Sequence, residues 1–490
     1  MSDLAARVHG LLDEVTAAVA PVGRTADVDA IRRRVDEPLR VAIAGRVKAG
    51  KSTLLNALVG ERLAPTDAGE CTRIVTWYRE GLSYEVGALL QDGSWRPLRF
   101  GRDEGALQIE LEGLAVGDVD RLDVAWPAVA LRDMTLVDTP GLGSVDDTTS
   151  SRTRDFFAVE DTSTAAADAV VYLMRHLHRD DAAFLEAFTD GSVAGASPVN
   201  AVAVLSRADE IGVGRLDAME SAQRIAARLV RDERLHALCS AVVPVAGLVA
   251  ETAASLRESE LSLLRELATE PVEVLRAMLL SPDRFCDPAV SSVAPELRRE
   301  LVTRLGMFGL RWALTELRAG RVVTSADLSR SLTEVSGIGA LRRLLREHFA
   351  GRAAALKARS ALSSLRALGR DVSAADPAAG ATIEAAVERA ELSWPELADL
   401  RLAHLVLSGA ARLSSQQAEE ALRVIGTGPA THRVGLTDGV SPDVLRAALV
   451  EGVERWRTAA ASPLADPVTV EACELIARAY ESLHAASAAH

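Results

Sequence analysis

Residues 45–52 read Gly-Arg-Val-Lys-Ala-Gly-Lys-Ser, a complete G-x-x-x-x-G-K-S signature. Immediately before it, Leu39-Arg40-Val41-Ala42-Ile43-Ala44 has the apolar run of a buried strand, and after it Thr53-Leu54-Leu55-Asn56-Ala57-Leu58 has a helical pattern. Strand, glycine-rich turn and helix in that order form the context a phosphate-binding loop requires. Gly45 and Gly50 let the backbone curl, so that the N–H groups of the loop through Ala49 and the start of the helix at Thr53 face an anion. Lys51 is placed to reach β- and γ-phosphate oxygens, and Ser52 to hold Mg²⁺.

Downstream, Met134-Thr135-Leu136-Val137 reads as a short buried strand that ends in Asp138-Thr139-Pro140-Gly141. An acid at the strand tip can hold Mg²⁺ through water, and Gly141 can turn toward a γ-phosphate. Between these two motifs lies Glu70-Cys71-Thr72-Arg73, before the apolar Ile74-Val75-Thr76-Trp77-Tyr78. Thr72 is placed to close over Mg²⁺ when the γ-phosphate is present, with Thr66 as a rival less well placed. Further on, the strand Ala201–Leu205 runs into Ser206-Arg207-Ala208-Asp209, a variant of the N/T-K-x-D guanine motif with Ser206 in place of Asn or Thr. A carboxylate there accepts both guanine N1–H and N2–H, a pair that adenine lacks. Buried polar groups left unpaired discriminate by orders of magnitude, so Asp209 points to GTP and GDP rather than ATP. Arg207 would lay its planar head against the base, and Val245-Ala246, at the end of a last short strand, would offer backbone to the guanine O6.

These five elements, the chain length and the helical region behind them resemble the dynamin-like large GTPases of bacteria. The resemblance is carried by Glu37-Pro38-Leu39-Arg40, Ala64-Pro65-Thr66-Asp67, Thr72-Arg73-Ile74-Val75-Thr76-Trp77 and Ser206-Arg207-Ala208-Asp209-Glu210-Ile211-Gly212. Gly306-Met307-Phe308-Gly309 and Ser336-Gly337-Ile338-Gly339-Ala340-Leu341 extend it over most of the chain. It implies an α/β P-loop GTPase domain with a mostly parallel sheet, followed by an elongated all-α bundle that forms a neck and stalk. It also implies GTP hydrolysis with Mg²⁺, homo-oligomerisation through nucleotide-dependent contacts, work on anionic lipid of the inner membrane, and a longer dynamin-like paralogue as partner. Leu142 cannot orient a water, so another group, such as the backbone and hydroxyl of Thr72, must do so. Lys48 stands where a cationic finger, like the loop arginine of guanylate-binding proteins, would neutralise charge between the β- and γ-phosphates. The other reading of Lys48 is a solvated loop side chain. On this view Lys48, Lys51 and Thr72 are the catalytic set.

The composition is that of a globular protein: 490 residues with 48% hydrophobic and 25% charged, enough for two or three domains. A net charge of −14 disfavours nucleic acid. Cys71, Cys239, Cys286 and Cys473 are scattered without C-x-x-C spacing, as in a reducing compartment without structural zinc. Cys71 reads as a small packing residue. The start of the chain lacks the pattern of a secretory signal, and no apolar run is long enough to span a bilayer. The expectation is a cytoplasmic protein, peripheral on the inner face of the cell membrane if the resemblance holds.

Periodicity places N-terminal helices in residues 1–37, joining the neck, a GTPase domain in 38–250 with an inserted hairpin turning at Asp92-Gly93, and a helical bundle in 251–490. Residues 326–370 carry a nearly continuous helical pattern, on the order of 60 Å if unbroken. The turn at 371–381, around Asp376-Pro377, is the expected distal tip, with Gly426–Pro442 as an alternative, although neither is rich in Trp, Phe or Leu. Arg352, Arg359 and Arg366 recur every seven residues, with Arg370 four further on, and Glu384, Glu388 and Glu391 follow on the returning segment. The basic stripe suits either anionic headgroups, at about 1 kcal/mol each, or ion pairs with that acidic stripe. A soluble switch GTPase acting through protein partners is the alternative to a membrane machine.

Overall fold

The structure, a computed structural model, describes residues 3–64, 74–103, 106–140, 167–175, 199–232, 235 and 238–488. Its strands are β1 (Leu39–Gly45), β2 (Val75–Glu80), β3 (Glu85–Leu90), β4 (Trp95–Pro97), β5 (Phe100–Asp103), β6 (Ala106–Ile109), β7 (Val119–Trp126), β8 (Met134–Asp138), β9 (Ala169–Met174), β10 (Ala201–Ser206) and β11 (Val242–Val245). All but β5 and β6 join one sheet in the order β11-β10-β9-β1-β8-β2-β7-β3-β4. From β11 to β8 every pairing is parallel, with Ile43 opposite Asp138 and Gly45 opposite Leu173. β1, β9 and β10 are buried at every position, as strands covered on both faces must be. The hairpin expected at Asp92-Gly93 is β3 with β4, antiparallel.

Helices before and within the sheet region are α1 (Asp3–Val19), α2 (Thr25–Asp36), α3 (Lys51–Val59), α4 (Ala218–Leu229) and α5 (Gly247–Ala254). Beyond it come α6 (Glu258–Ala268), α7 (Val272–Met278), α8 (Pro282–Phe285), α9 (Pro295–Arg318), α10 (Ser325–Val335) and α11 (Ile338–Leu344). The rest are α12 (Ala353–Ser373), α13 (Pro377–Ser393), α14 (Pro395–Leu407), α15 (Ser415–Val424), α16 (Ala430–Arg433), α17 (Pro442–Ala460) and α18 (Pro467–Ala488).

Side-chain alternation along β1 sends Val41 and Ile43 into one core and Ala42 and Ala44 into another. The first core unites residues of α1, α2, α3 and the late helices α12–α18. The second contains α4 and also α6, α9 and α10, through Leu261, Leu264, Phe308, Leu328 and Leu332. The first helices that follow residue 250 thus share a core with one face of the sheet.

A buried node joins these parts. The Asp168 carboxylate accepts from the Arg34 guanidinium of α2, from the Arg40 N–H of β1 at 2.8 Å and from Ser360 Oγ of α12 at 3.0 Å. Beside it Lys357 Nζ donates to the Val35 carbonyl at 2.6 Å and the Glu37 carbonyl at 2.9 Å, closing the C-terminal end of α2.

The continuous helix expected over 326–370 is interrupted twice. Gly337, at φ +78°, separates α10 from α11, and residues 345–352 pass through π and 3₁₀ turns before α12 begins. The first break has a packing cause: a Cβ at 337 would stand 2.3 Å from the Pro244 carbonyl oxygen, so the chain turns there against the end of β11. The turn at Asp376-Pro377 is as expected, with Asp376 Oδ1 accepting from the Ala378 and Ala379 N–H groups at 3.0 Å. Part of the basic stripe is engaged inside the protein. Arg366 donates to Glu384 at 3.3 Å and Glu391 at 2.9 Å across the α12–α13 pair, which is the ion-pair reading. No helix among the described residues is long and apolar enough to cross a membrane.

Candidate functional site

β1 delivers the chain to the glycine-rich turn with no room for a side chain. Gly45 has φ +149°, and a Cβ on it would lie 2.5 Å from the Leu173 carbonyl oxygen of β9. Gly50, at φ +93°, caps the start of α3. Within the turn Lys48 is exposed and holds a left-handed φ of 62°.

Lys51, the first residue of α3, donates from Nζ to the Gly45 carbonyl at 3.2 Å and the Arg46 carbonyl at 3.4 Å. Burial pulls its pKa below the ordinary lysine value, and the negative charge of Asp138 opposes that shift. Ser52 Oγ donates to Asp138 Oδ2 at 3.1 Å. Burial pushes the Asp138 carboxyl up to about 6, against the pull of Lys51 and the Ser52 hydrogen bond. Its other oxygen, Oδ1, is buried with no hydrogen-bond partner among the described residues. A buried carboxylate oxygen without a partner costs free energy, and a hydroxyl beside it completes a hard oxygen donor set of the kind Mg²⁺ takes. Ser52 and Asp138 therefore fit a divalent cation. The chain beyond Asp138 is pinned by Thr139, whose Oγ1 donates to the Ile43 carbonyl at 3.0 Å.

At the other end of the cleft, Ser206 Oγ ties β10 to β9 by donating to the Met174 carbonyl at 3.2 Å. Arg207 adopts φ +52°, and its guanidinium donates to Glu210 at 2.8 Å and to the Lys48 carbonyl at 3.0 Å. It thus bridges the Ser206–Asp209 segment to the glycine-rich turn. Asp209 is 7% exposed, and burial raises its carboxyl to about 6, the neighbouring Glu210 adding to the rise and Arg207 opposing it. One cleft is lined by Ala49, Gly50 and Thr53 from the phosphate loop, by Ser206, Arg207 and Asp209, and by Val245.

Gly247, the end of the small-residue loop read from the sequence, also lines the cleft, together with Leu248, which sequence reasoning missed. The available signal was its position, in the first turn of α5 directly after Val245-Ala246. The Ala246 N–H is committed to the Ser336 carbonyl at 2.8 Å, so it is not the free backbone donor that the sequence suggested. Thr72 and Gly141, with Thr66, Cys71 and Leu142, lie outside the described residues.

A phosphate cradle at the tip of β1, an acid at the tip of β8 and a second acid at the tip of β10 define a P-loop GTPase. Residues 40–193 match the family model described as 50S ribosome-binding GTPase. The chain is 40% identical over 461 residues to isoniazid-induced protein IniC of Mycobacterium tuberculosis, spanning 93% of this chain and 92% of that one. It is 36% identical over 118 residues to the bacterial dynamin-like protein of Nostoc punctiforme, 22% of this chain and 17% of that one. A solved structure described as an oligomerised bacterial dynamin pair is similar at 15% identity and TM-score 0.30, covering 100% of this chain and 76% of that one. The chain belongs to the IniC family of bacterial dynamin-like GTPases, and it is a GTP hydrolase.

Proposed function

We propose that this chain hydrolyses GTP with Mg²⁺ and couples the cycle to self-association of its copies and to work at the inner face of the cell membrane. The observation that carries the chemical part is the Ser52–Asp138 pair, with a buried carboxylate oxygen beside Lys51 that has no partner among the described residues. Mg²⁺ bound there would neutralise charge on the phosphates. In this reading Lys51 exchanges the Gly45 and Arg46 carbonyls for phosphate oxygens, and the backbone N–H groups of Ala49 and Gly50 hold the same anion. Thr72 orients the attacking water and Lys48 supplies positive charge between the β- and γ-phosphates. Ionised Asp209 accepts the N1–H and N2–H of guanine, and Gly141 contacts the γ-phosphate. Membership of the family supports the membrane part, together with a longer paralogue as a further partner.

A second reading, a soluble switch that acts through protein partners, is favoured by two observations. Arg342, Lys357 and Arg366 of the basic region are engaged by the protein itself, Arg342 with the Ala57 carbonyl at the end of α3 at 2.6 Å. Among the described residues, none of the exposed large apolar side chains falls within 371–381 or 426–442. GTP hydrolysis measured against protein concentration, with and without anionic liposomes and with Lys51→Ala as the inactive control, separates the two. Superlinear, lipid-stimulated turnover supports the membrane machine. Linear, lipid-blind turnover moves the assignment to the switch.

A further inference from the structure

Two glycine-centred stretches of the helical region, Gly306-Met307-Phe308-Gly309 and Ser336-Gly337-Ile338-Gly339, take no part in the phosphate chemistry, yet both abut the base end of the cleft. α9 is interrupted at Gly306, where φ is 62° and ψ 178°. That region of backbone space is essentially open to glycine alone. A Cβ at 306 would lie 3.7 Å from Asp209 Oδ2 and 3.7 Å from Leu248 Cδ2, so the break in α9 forms the wall behind the carboxylate. On the other side of the cleft, Ser336 accepts from the Ala246 N–H.

Past the break, α9 reaches back over the loop that follows Asp209. Arg311 Nη1 donates to the Val213 carbonyl at 2.7 Å and the Gly214 carbonyl at 2.5 Å, while Nε and Nη2 donate to the Leu279 carbonyl at 3.2 and 2.5 Å. That loop is in an unfavourable conformation: Gly212, Val213 and Gly214 have φ of 62°, 62° and 68° in succession. For a β-branched residue such as Val213 this is a genuine outlier. Conformations of this kind persist only where the surroundings over-determine them, and the two carbonyl contacts from Arg311 do so here.

We propose that Arg311 is a positioning residue for base specificity. From a helix outside the sheet, its guanidinium fixes the 210–214 loop and thereby holds the Asp209 carboxylate at the edge of the base, with the break at Gly306 giving α9 its close approach. The proposal rests on the reading of Asp209 as the guanine acceptor. A carboxylate that accepts two N–H donors from one base edge has a narrow geometric tolerance, so freeing its loop weakens guanine binding while leaving ligands that do not use it untouched.

The test is equilibrium binding of GDP and ADP to the full chain as wild type, Arg311→Ala, Arg311→Lys and Asp209→Asn, with melting temperatures recorded alongside. Arg311→Ala is expected to lower GDP affinity about 10-fold or more and to leave ADP affinity within about twofold. Arg311→Lys can reach one carbonyl and is expected to retain part of the GDP preference, which keeps the test open if the alanine variant fails to fold. Equal losses for GDP and ADP, or an unchanged ratio with a lower melting temperature, overturn the proposal and make Arg311 a structural brace. If Asp209→Asn keeps the wild-type GDP to ADP ratio, the reading of Asp209 itself fails. If Asp209→Asn collapses that ratio and neither Arg311 variant alters it, only the proposal for Arg311 fails.

Discussion

Replacing Arg34 with Met should loosen the joint between the nucleotide domain and the helical bundle. Asp168 is 1% exposed and Arg34 5% exposed, so their ion pair lies away from solvent. Met keeps the apolar stem and removes only the charge and its donors. The Asp168 carboxylate is then left with two neutral donors, the Arg40 N–H and the Ser360 hydroxyl. Removing one partner of a buried pair costs about 3–5 kcal/mol. Two cations still act on Asp168 here, the Arg40 and Lys357 side chains, which places the expected cost near the lower end, about 3 kcal/mol. At about 1.4 kcal/mol per tenfold, that is on the order of a 100-fold rise in local opening. Global unfolding of a chain of several parts is a poor readout; native-state amide exchange at Arg40 and its neighbours in β1, α2 and the first turns of α12 reports the joint directly. The double variant with Asp168→Asn removes the stranded charge and should recover most of the protection. If Arg34→Met accelerates exchange in all three segments by less than about tenfold, the node does not hold the joint and the argument fails.

Three further outcomes are expected at the site. Lys51→Ala removes the half-buried cation that contacts the Gly45 and Arg46 carbonyls, and GTP turnover measured by phosphate release should fall by about 100-fold or more. Lys48→Ala should lower kcat on the order of 100-fold with GDP affinity unchanged if its side chain supplies charge in the transition state; an unchanged kcat leaves it a solvated loop residue. Asp209, raised to about 6 by burial, must be ionised to accept two N–H donors, so GDP affinity should fall roughly tenfold per pH unit below about 6, and Asp209→Asn should flatten that profile. The stability effect of the same group runs the other way. Its folded pKa lies above the unfolded one, so its charged form is penalised above pH 6, and protonation between about pH 6 and 4 stabilises the nucleotide-free fold.

The phosphate end of the site was legible because its parts are contiguous. Gly45, Gly50, Lys51 and Ser52 lie within one strand-turn-helix unit, whose geometry follows from local backbone rules. The tips of β8 and β10 could be placed because short buried strands announce themselves by largely apolar runs. The hairpin at Asp92-Gly93 and the cap at Asp376-Pro377 rested on turn and cap chemistry of the same local kind. The helical pattern over 326–370 ran on through Ser336-Gly337 because one glycine only weakens a helix on propensity grounds. The break there answers to the Pro244 carbonyl, far away in the chain.

The sequence by itself therefore determined the fold class, the strand-turn-helix unit around residues 45–52, the places of Asp138 at the end of β8 and Asp209 just past β10, and the spacing of the basic stripe. Only the tertiary structure decided what that spacing is for, since Arg366 finds Glu384 and Glu391 by the antiparallel packing of α12 on α13. It alone decided that Asp168 gathers Arg34 and Ser360 from 134 and 192 residues away, that Gly306 lies against Asp209, that Arg311 holds the Val213 and Gly214 carbonyls, and that Ser336 accepts from the Ala246 N–H. The physical reason is that periodicity and turn chemistry act over a few residues, whereas the partner of a buried polar group is chosen by which surfaces the cores bring together.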